Sequence, residues 1–296
     1  MLRIILNGKK AGIEEVRSSI TNLRGKDTAI EVRVTYEQGD VDRLVNEAVR
    51  DGVVRIVAAG GDGTVNEVVN ALARVSPGSR PEVAVLPLGT ANDFASACEI
   101  PLAPGEALEL AVQGNAVPVD VGQANDRHFI NAATGGFGAM ITAETPTPLK
   151  NFLGGGAYTI MGVLRAIDFS PYKGSLKGPD FDIEGEIAIA AVCNNRRAGH
   201  GQPLAPRAYI NDGLLDVLIV RHFPLTNATQ VLTEYQNQAG DGTYVQRFQF
   251  SEAIATADRA MPLNLDGEPY ENNRIAFKVL PGAIRMVLPE GCPCLC

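Results

Sequence analysis

The segment Gly60-Gly61-Asp62-Gly63-Thr64-Val65-Asn66-Glu67 has the residue types of an anion-binding turn. A short apolar run, Val53 to Ala59, precedes it, and Val65, Val68, Val69 and Leu72 come after it at helical spacing. A strand, a glycine turn and a helix start in that order bring unpaired backbone N–H groups and a favourable dipole to one point. The glycines let a phosphate approach the chain closely. The segment lacks the Gly-Lys-Ser/Thr ending of a P-loop and does not match G-x-G-x-x-G. Asp62, inside the turn, cannot attract phosphate by its own charge. It can accept hydrogen bonds from nucleotide hydroxyls or act on phosphate through Mg²⁺, and so favours a nucleotide over free phosphate. A strand-to-helix turn with no ligand is the competing reading, and the tetrapeptide alone decides little. Gly240-Asp241-Gly242-Thr243 repeats it without a preceding strand, with strand-like Tyr244 to Phe248 behind it, and reads as a β-turn.

The elements that must position this turn are set by hydrophobic spacing. The apolar runs Leu2 to Leu6, Ala29 to Val34 and Val53 to Ala59 alternate with segments of helical period, a βαβαβ rhythm that predicts a mostly parallel, doubly wound sheet covered on both faces. Val41, Leu44, Val45 and Ala48 share one helix face, with Asp40 as the expected N-cap and Gly52 as the stop. A fourth run, Val83 to Leu88, leads into Gly89-Thr90-Ala91-Asn92-Asp93-Phe94, a second strand-to-turn transition. After Gly114 the runs shorten: Ile187 to Cys193, Leu214 to Val220 and Ala276 to Leu280 are separated by turn residues such as Asn211-Asp212-Gly213 and Asp266-Gly267. That texture predicts an α/β domain over residues 1–117, then a β-rich, antiparallel, sandwich-like domain over residues 118–296. A cleft separates them, and the last residues pack back on the first domain. Ala157, Ile160, Met161, Leu164 and Ile167 form one helical stripe, read as packed on the sheet; Lys150, Arg165 and Lys173 beside it leave lipid contact as the alternative.

Composition excludes several classes of function. Lys and Arg total 26 against 34 Asp and Glu, and a net charge of −8 argues against a nucleic-acid partner. With only His128, His200 and His222 available and no Ser/His/Asp spacing, hydrolase chemistry has little support. Cys98 and Cys193 stand alone, and Cys292, Cys294 and Cys296 alternate in no standard zinc spacing; a reduced, cytoplasmic chain with a plain surface tail is the reading, although the tail cluster could take a soft metal. The first apolar stretch is too short for a secretory segment and reads as a strand, and no run approaches the about 20 residues a membrane span needs.

Together, Gly60 to Glu67, then Leu86-Pro87-Leu88-Gly89-Thr90-Ala91-Asn92-Asp93-Phe94, then Asn131 to Gly138, Asn211 to Leu215 and Asn264-Leu265-Asp266-Gly267-Glu268-Pro269 closely resemble, over nearly the whole chain, the diacylglycerol kinase catalytic family, nearest to its bacterial YegS-type lipid kinases. The resemblance implies ATP between the domains, its phosphates among Gly61, Asp62, Gly63, Thr64, Val65, Asn66 and Glu67, with Thr35 and Thr90 nearby. It implies a divalent ion, Mg²⁺ or alternatively Ca²⁺, at the Asp212 carboxylate and main-chain oxygens of Tyr209 and Leu214; taken alone, Asn211-Asp212-Gly213 is a hairpin turn. Phosphoryl transfer to an alcohol needs a group to orient and deprotonate it. Glu268 is the candidate base, with Asp266 as a second carboxylate that could instead organise metal or water.

The function so implied is transfer of the ATP γ-phosphate to a lipid hydroxyl during transient contact with a membrane surface. Arg196, Arg197, His200 and Arg207 could meet a lipid phosphate or form a solvated loop. Two alternatives remain at this level: an NAD kinase, which shares Gly-Gly-Asp-Gly-Thr, and a nucleotide-binding regulator without turnover. Asn66-Glu67 and the intact Asp62, Asp212 and Glu268 favour the lipid enzyme.

Overall fold

The computed structural model describes residues 1–26, 28–136, 171–199, 201–238 and 240–296. The stripe expected from Ala157 to Ile167, with Lys150 and Arg165, lies outside the described residues, as do Phe137, Gly138 and His200. Four parallel strands, β1 (Leu2–Asn7), β2 (Ile30–Thr35), β3 (Arg55–Gly60) and β4 (Glu82–Pro87), stand in the order β2-β1-β3-β4. Strand alternation sends successive side chains to opposite faces, and both faces here are apolar. Ile5, Ile56, Ala58, Val83 and Val85 meet α2 (Asp40–Arg50) and α3 (Asp62–Ala73) on one side. Ile4, Leu6, Val57, Ala84 and Leu86 meet α1 (Glu14–Arg24) and α5 (Pro104–Gln113) on the other, while the short α4 (Asp93–Ala97) joins the first face.

The helix stop at Gly52 is as read: its φ of +65° turns the chain, and the N–H of Val53 reaches the carbonyl of Ala48. The N-cap is not. Gly39 precedes the first helical residue, and the Asp40 carboxylate faces backwards, accepting from the N–H groups of Tyr36 at 2.7 Å and Glu37 at 3.1 Å and from Arg43 at 2.7 Å. The turn that carries the chain from Thr35 into α2 has its own orphan amides, and those compete successfully for the side chain.

The remaining described strands pair with one another antiparallel: β5 (Ala116–Ala124), β6 (Arg127–Phe129), β7 (Ala132–Gly136), β8 (Tyr172–Lys177), β9 (Asp182–Cys193), β10 (Leu215–Arg221), β11 (Val245–Phe250), β12 (Glu252–Leu265) and β13 (Glu268–Val287), with α6 (Ala228–Asn237) between β10 and β11. Its core is a cluster that includes Phe129, Val192, Val217, Leu263, Leu265 and Phe277. The sequence does not announce how the two regions join. β13 pairs with β12 over its first half, with β5 over its second, and with β4 in parallel at Met286 and Val83, so the described strands form one 13-stranded sheet. The final residues return to the first region, where Cys292 and Cys294 enter the same apolar cluster as Phe94 and Cys98.

The contacts of Asp40 carry a pH signature. Its hydrogen bonds, led by Arg43, lower its pKa from 3.8 to about 2, so the stability they contribute is present above pH 4 and is lost as pH falls through the folded value. Asp40→Asn is expected to flatten the fall in urea-unfolding free energy between pH 4 and pH 2, as followed by circular dichroism; an unchanged slope would exclude this role.

Candidate active site

The parallel register places Asn7 level with Thr35, and Gly60 level with Pro87, so the strand ends that feed the glycine turn lie along one carboxyl edge of the sheet. In open parallel sheets ligands bind at that edge. α3 starts immediately after Gly61, which has no side chain to cap the first turn; the N–H groups of Thr64 and Val65 return to the Gly61 carbonyl, so those of Asp62 and Gly63 are the ones presented at the helix start. Thr64 is buried and receives a hydrogen bond from Asn7 Nδ2 at 3.3 Å. Thr35 Oγ1 accepts from the N–H of Gly8 at 3.2 Å.

The two glycine motifs are in direct backbone contact. A Cβ on Gly89 would stand 2.5 Å from the Cα of Gly61 and 2.7 Å from Asn92 Oδ1, so the second motif cannot carry a side chain there, and one on Gly61 would press to 3.1 Å from the Cα of Gly89. Asn92, at φ +50°, clamps the second turn by hydrogen bonds to both the N–H and the carbonyl of Gly89, with exposed Thr90 in between. Asp62 crosses to the same neighbour: its Oδ1 accepts from the N–H of Phe94 at 3.0 Å. One oxygen of the carboxylate assigned to ligand thus holds the two motifs together. The copy at Gly240-Asp241-Gly242-Thr243 has no helix behind it and leads into β11.

Facing this edge is the hairpin that joins β12 to β13. Leu265 pairs with Glu268, and Asp266 and Gly267 form a two-residue loop with φ of +51° and +102°, the pattern of a type I′ turn. The turn separates the two carboxylates. Asp266 is drawn inwards, accepting from the N–H groups of Ile130 at 2.6 Å, Asn131 at 3.0 Å and Ala132 at 2.8 Å. Burial pushes its pKa up to about 7 and Asp62 adds repulsion, while the three amides oppose both by favouring the anion. Glu268 is exposed and lines a cavity of about 250 Å³ with Glu67, Asp42, Asn70, Arg74 and His128. Loss of solvent, then the charges of Glu268 and Asp42, raise the pKa of Glu67.

Tyr209, Asp212 and Leu214 belong to a different place. Tyr209 and Asp212 line a second cavity, of about 390 Å³, with Asp216 and Arg247, and Asp212 Oδ1 accepts from the N–H of Leu214 at 3.0 Å. Burial first, then Asp120, raise the Asp212 pKa. Among the described residues no three His, Cys, Asp or Glu side chains form a ready metal cage. Arg196 spends its Nε on the carbonyl of Ala208 and stacks its guanidinium over Tyr209, while Arg207 lines this second cavity.

A buried polar chain runs from Asp266 towards Gly213; sequence reasoning quoted Asn131 only within a family motif and missed Asp120, Asn194 and Asn195. Asn131, whose N–H serves Asp266, gives its carbonyl to the N–H of Asn194 at 2.8 Å and its Oδ1 to Asn195 Nδ2 at 3.0 Å. Asn194 Nδ2 donates to the carbonyls of Asp120 and Ile130. The Asp120 carboxylate, 2% exposed, accepts from the N–H groups of Gly213 and Gly282, both at 2.7 Å. The signal was a polar Asn194-Asn195 pair directly after an apolar strand, a position that demands buried partners.

Residues 1–124 match the model of the diacylglycerol kinase catalytic domain, and residues 134–288 match that of the YegS C-terminal NAD kinase beta sandwich-like domain. The chain belongs to the diacylglycerol kinase catalytic family, in its YegS branch. A probable lipid kinase YegS-like protein of Shewanella frigidimarina is 47% identical over 295 residues, covering 99% of this chain and 96% of that one. One of Chromohalobacter salexigens is 46% identical over 289 residues, covering 97% and 93%. The fold is shared with the crystal structure of a putative diacylglycerol kinase from Bacillus anthracis, at a TM-score of 0.82 and 22% identity over 98% of this chain and 96% of that one.

Asp266→Asn turns one acceptor oxygen into an N–H₂ group that faces backbone donors. It is expected to destabilise the fold by about 1–3 kcal/mol in urea unfolding; a smaller loss would mean that the three amides are satisfied without this carboxylate.

Proposed function

We propose that this protein transfers the γ-phosphate of ATP to a lipid hydroxyl, in the cleft between the glycine turn and the β12–β13 hairpin. The observation that carries the reading is that Glu67, on the helix the glycine turn begins, and Glu268, on the facing hairpin, line one cavity. Backbone N–H groups at the start of α3 hold the phosphates, and Thr35 and Thr90 lie along the same strand-end edge. Glu268 takes the proton of the acceptor hydroxyl, being a solvent-reachable carboxylate at the cavity wall. Asp266 is the positioning residue, since its three amide contacts fix the turn from which Glu268 projects.

The repulsion of Glu67 by Glu268, and after it by Asp42, which is itself paired with Arg74, fits a site that is completed by a cation. Mg²⁺, bound with the nucleotide, would neutralise phosphate oxygens as the transfer proceeds. A second ion, Mg²⁺ or Ca²⁺, would sit at Asp212 with the carbonyls of Tyr209 and Leu214, a hard-oxygen donor set. Among the described residues no helix is long and apolar enough to cross a membrane. The lipid is met by transient contact from the cytoplasmic side. The resemblance of the second domain to an NAD kinase sandwich keeps NAD as the competing acceptor.

Incubation with γ-labelled ATP, Mg²⁺ and either vesicles of diacylglycerol and phosphatidylglycerol or NAD separates the two. Label is expected in the lipid phase; label confined to NADP would overturn the lipid reading, and binding without transfer to either would leave a regulator.

Glu268→Ala is expected to lower kcat by about 10²–10⁴-fold while leaving the Kd for ATP unchanged in calorimetry. Retention of wild-type kcat would remove Glu268 from the base role.

A further inference from the structure

The cavity that holds Glu67 and Glu268 also holds a cation that phosphoryl transfer alone leaves idle. Its acidic lining is Asp42, Glu67 and Glu268, and its basic lining is Arg74, Arg127 and His128. Arg74 is spent on Asp42. Burial, then the charges of Arg74 and Arg80, lower the pKa of His128, which leaves the ring neutral at pH 7. Arg127 is exposed, and among the described residues its guanidinium has neither an ion pair nor a hydrogen bond. It offers five N–H donors and a charge that no ordinary pH removes.

The strand that carries Arg127 is held from both sides. Within the β5–β6 hairpin, Ala124 pairs with Arg127 and Gln123 with His128. Asn125, in the turn before Arg127, donates from Nδ2 to the Tyr270 hydroxyl at 2.9 Å, and Tyr270 follows Glu268 on β13. On the other side, Asn70 of α3 accepts from the N–H of His128 and donates to its carbonyl, both at 3.0 Å. Glu67, Asn70 and Arg74 all line the cavity, spaced three and four apart as one helix face. From Asp62 to Asn70 the helix rises by about 12 Å. β6 therefore meets α3 some two turns beyond the amides that receive the nucleotide phosphates.

Resting on the reading of Glu268 as the base of a lipid kinase, we propose that Arg127 determines acceptor specificity by binding a phosphodiester in the lipid headgroup, so that an anionic glycerophospholipid with a headgroup hydroxyl is preferred to neutral diacylglycerol. The ATP phosphates have the first amides of α3 and Mg²⁺ to receive them, which leaves the cation in the cavity with Glu268 to the acceptor. In such a lipid the hydroxyl and the phosphodiester are a few carbon atoms apart, so one cavity holds the first at Glu268 and the second at Arg127. A guanidinium grips two phosphate oxygens at once and fixes the orientation of the headgroup as well as its charge. Diacylglycerol carries its hydroxyl on the glycerol that bears the acyl chains; it brings no anion and leaves Arg127 solvated.

Wild type, Arg127→Gln and Arg127→Lys are compared on diacylglycerol and on phosphatidylglycerol of the same acyl chains, each at one mole fraction in non-ionic detergent micelles with γ-labelled ATP and Mg²⁺. Arg17→Gln, at an exposed position on α1, controls for net charge. Arg127→Gln is expected to lower kcat/KM for phosphatidylglycerol by about 10–100-fold, chiefly through KM, while kcat/KM for diacylglycerol and the Kd for ATP change by less than about 2-fold. Arg127→Lys should recover part of the loss, since it keeps the charge without the fork, and Arg17→Gln should show none. Equal losses on both lipids, or a weakened Kd for ATP, would assign Arg127 to the nucleotide and overturn the proposal. An unchanged phosphatidylglycerol rate in Arg127→Gln, or a wild-type preference for diacylglycerol, would overturn it while leaving lipid phosphorylation intact. Label in neither lipid would remove the kinase reading and this inference with it.

Discussion

Twenty residues of continuous strand, Glu268 to Val287, set the geometry of the rest. The backbone groups of such a strand that are buried need partners along its course. β13 resolves this by using β12 for its first half, β5 for its second, and β4 near its end. The pairing with β4 matters most for the site. It ties the strand that starts at Glu268 to the sheet whose far edge bears the glycine turn, so the two walls of the cleft are connected by backbone hydrogen bonds as well as by side-chain contact. Interdomain interfaces built from side chains alone allow relative motion by default; here a register would have to break.

Carboxylates divide into two populations, and the division explains what each can do. Asp266 and Asp120 are spent on backbone amides, at 2.6–3.0 Å and 2.7 Å respectively, and they fix loops. Glu67, Glu268 and Asp42 line the cleft, where Asp42 is paired with Arg74 while burial and the charges of Glu268 and Asp42 raise the pKa of Glu67. Burying the first group is tolerable because each oxygen finds donors; exposing the second keeps charge available for chemistry. Asp62 belongs partly to each, with one oxygen on the N–H of Phe94 and its charge still felt at Asp266.

Much of the fold was legible because its signals are local. Alternation and helical period marked β1 to β4, α2 and α3, and Asp-Gly at 266–267 marked a hairpin loop. The Asp40 error shows where local reading stops: an N-cap preference is a statement about donors within reach, and the amides of Tyr36 and Glu37 were nearer in space than those of the helix. In the Asn131, Asn194 and Asn195 chain the polar pair at 194–195 was a signal of buried partners, but which partners was illegible for a different reason. Its partners are 64 residues apart, and only folding brings them together. The glycine turn itself was readable as an anion site, while the contact of Gly61 with Gly89 was not, since absence of a side chain leaves no pattern to read.

That contact also explains why four letters meant so little at Gly240. Gly-Asp-Gly-Thr is compatible with a helix start or a turn into a strand, and the residues C-terminal to it decide between them. After Gly61 the chain offers Val65, Val68, Val69 and Leu72 to an existing core, which stabilises a helix by burying one face. After Gly240 it offers Val245 and Phe250 to β10, and the loop is held by Glu234, whose carboxylate accepts from the N–H groups of Tyr244 and Val245. The same side-chain chemistry, a carboxylate gathering backbone amides, thus closes a loop in one copy and joins two motifs in the other. At Gly61, unlike Gly240, the start of a helix lies in backbone contact with a second glycine turn, and the anion-binding reading rests on that pairing rather than on the four letters.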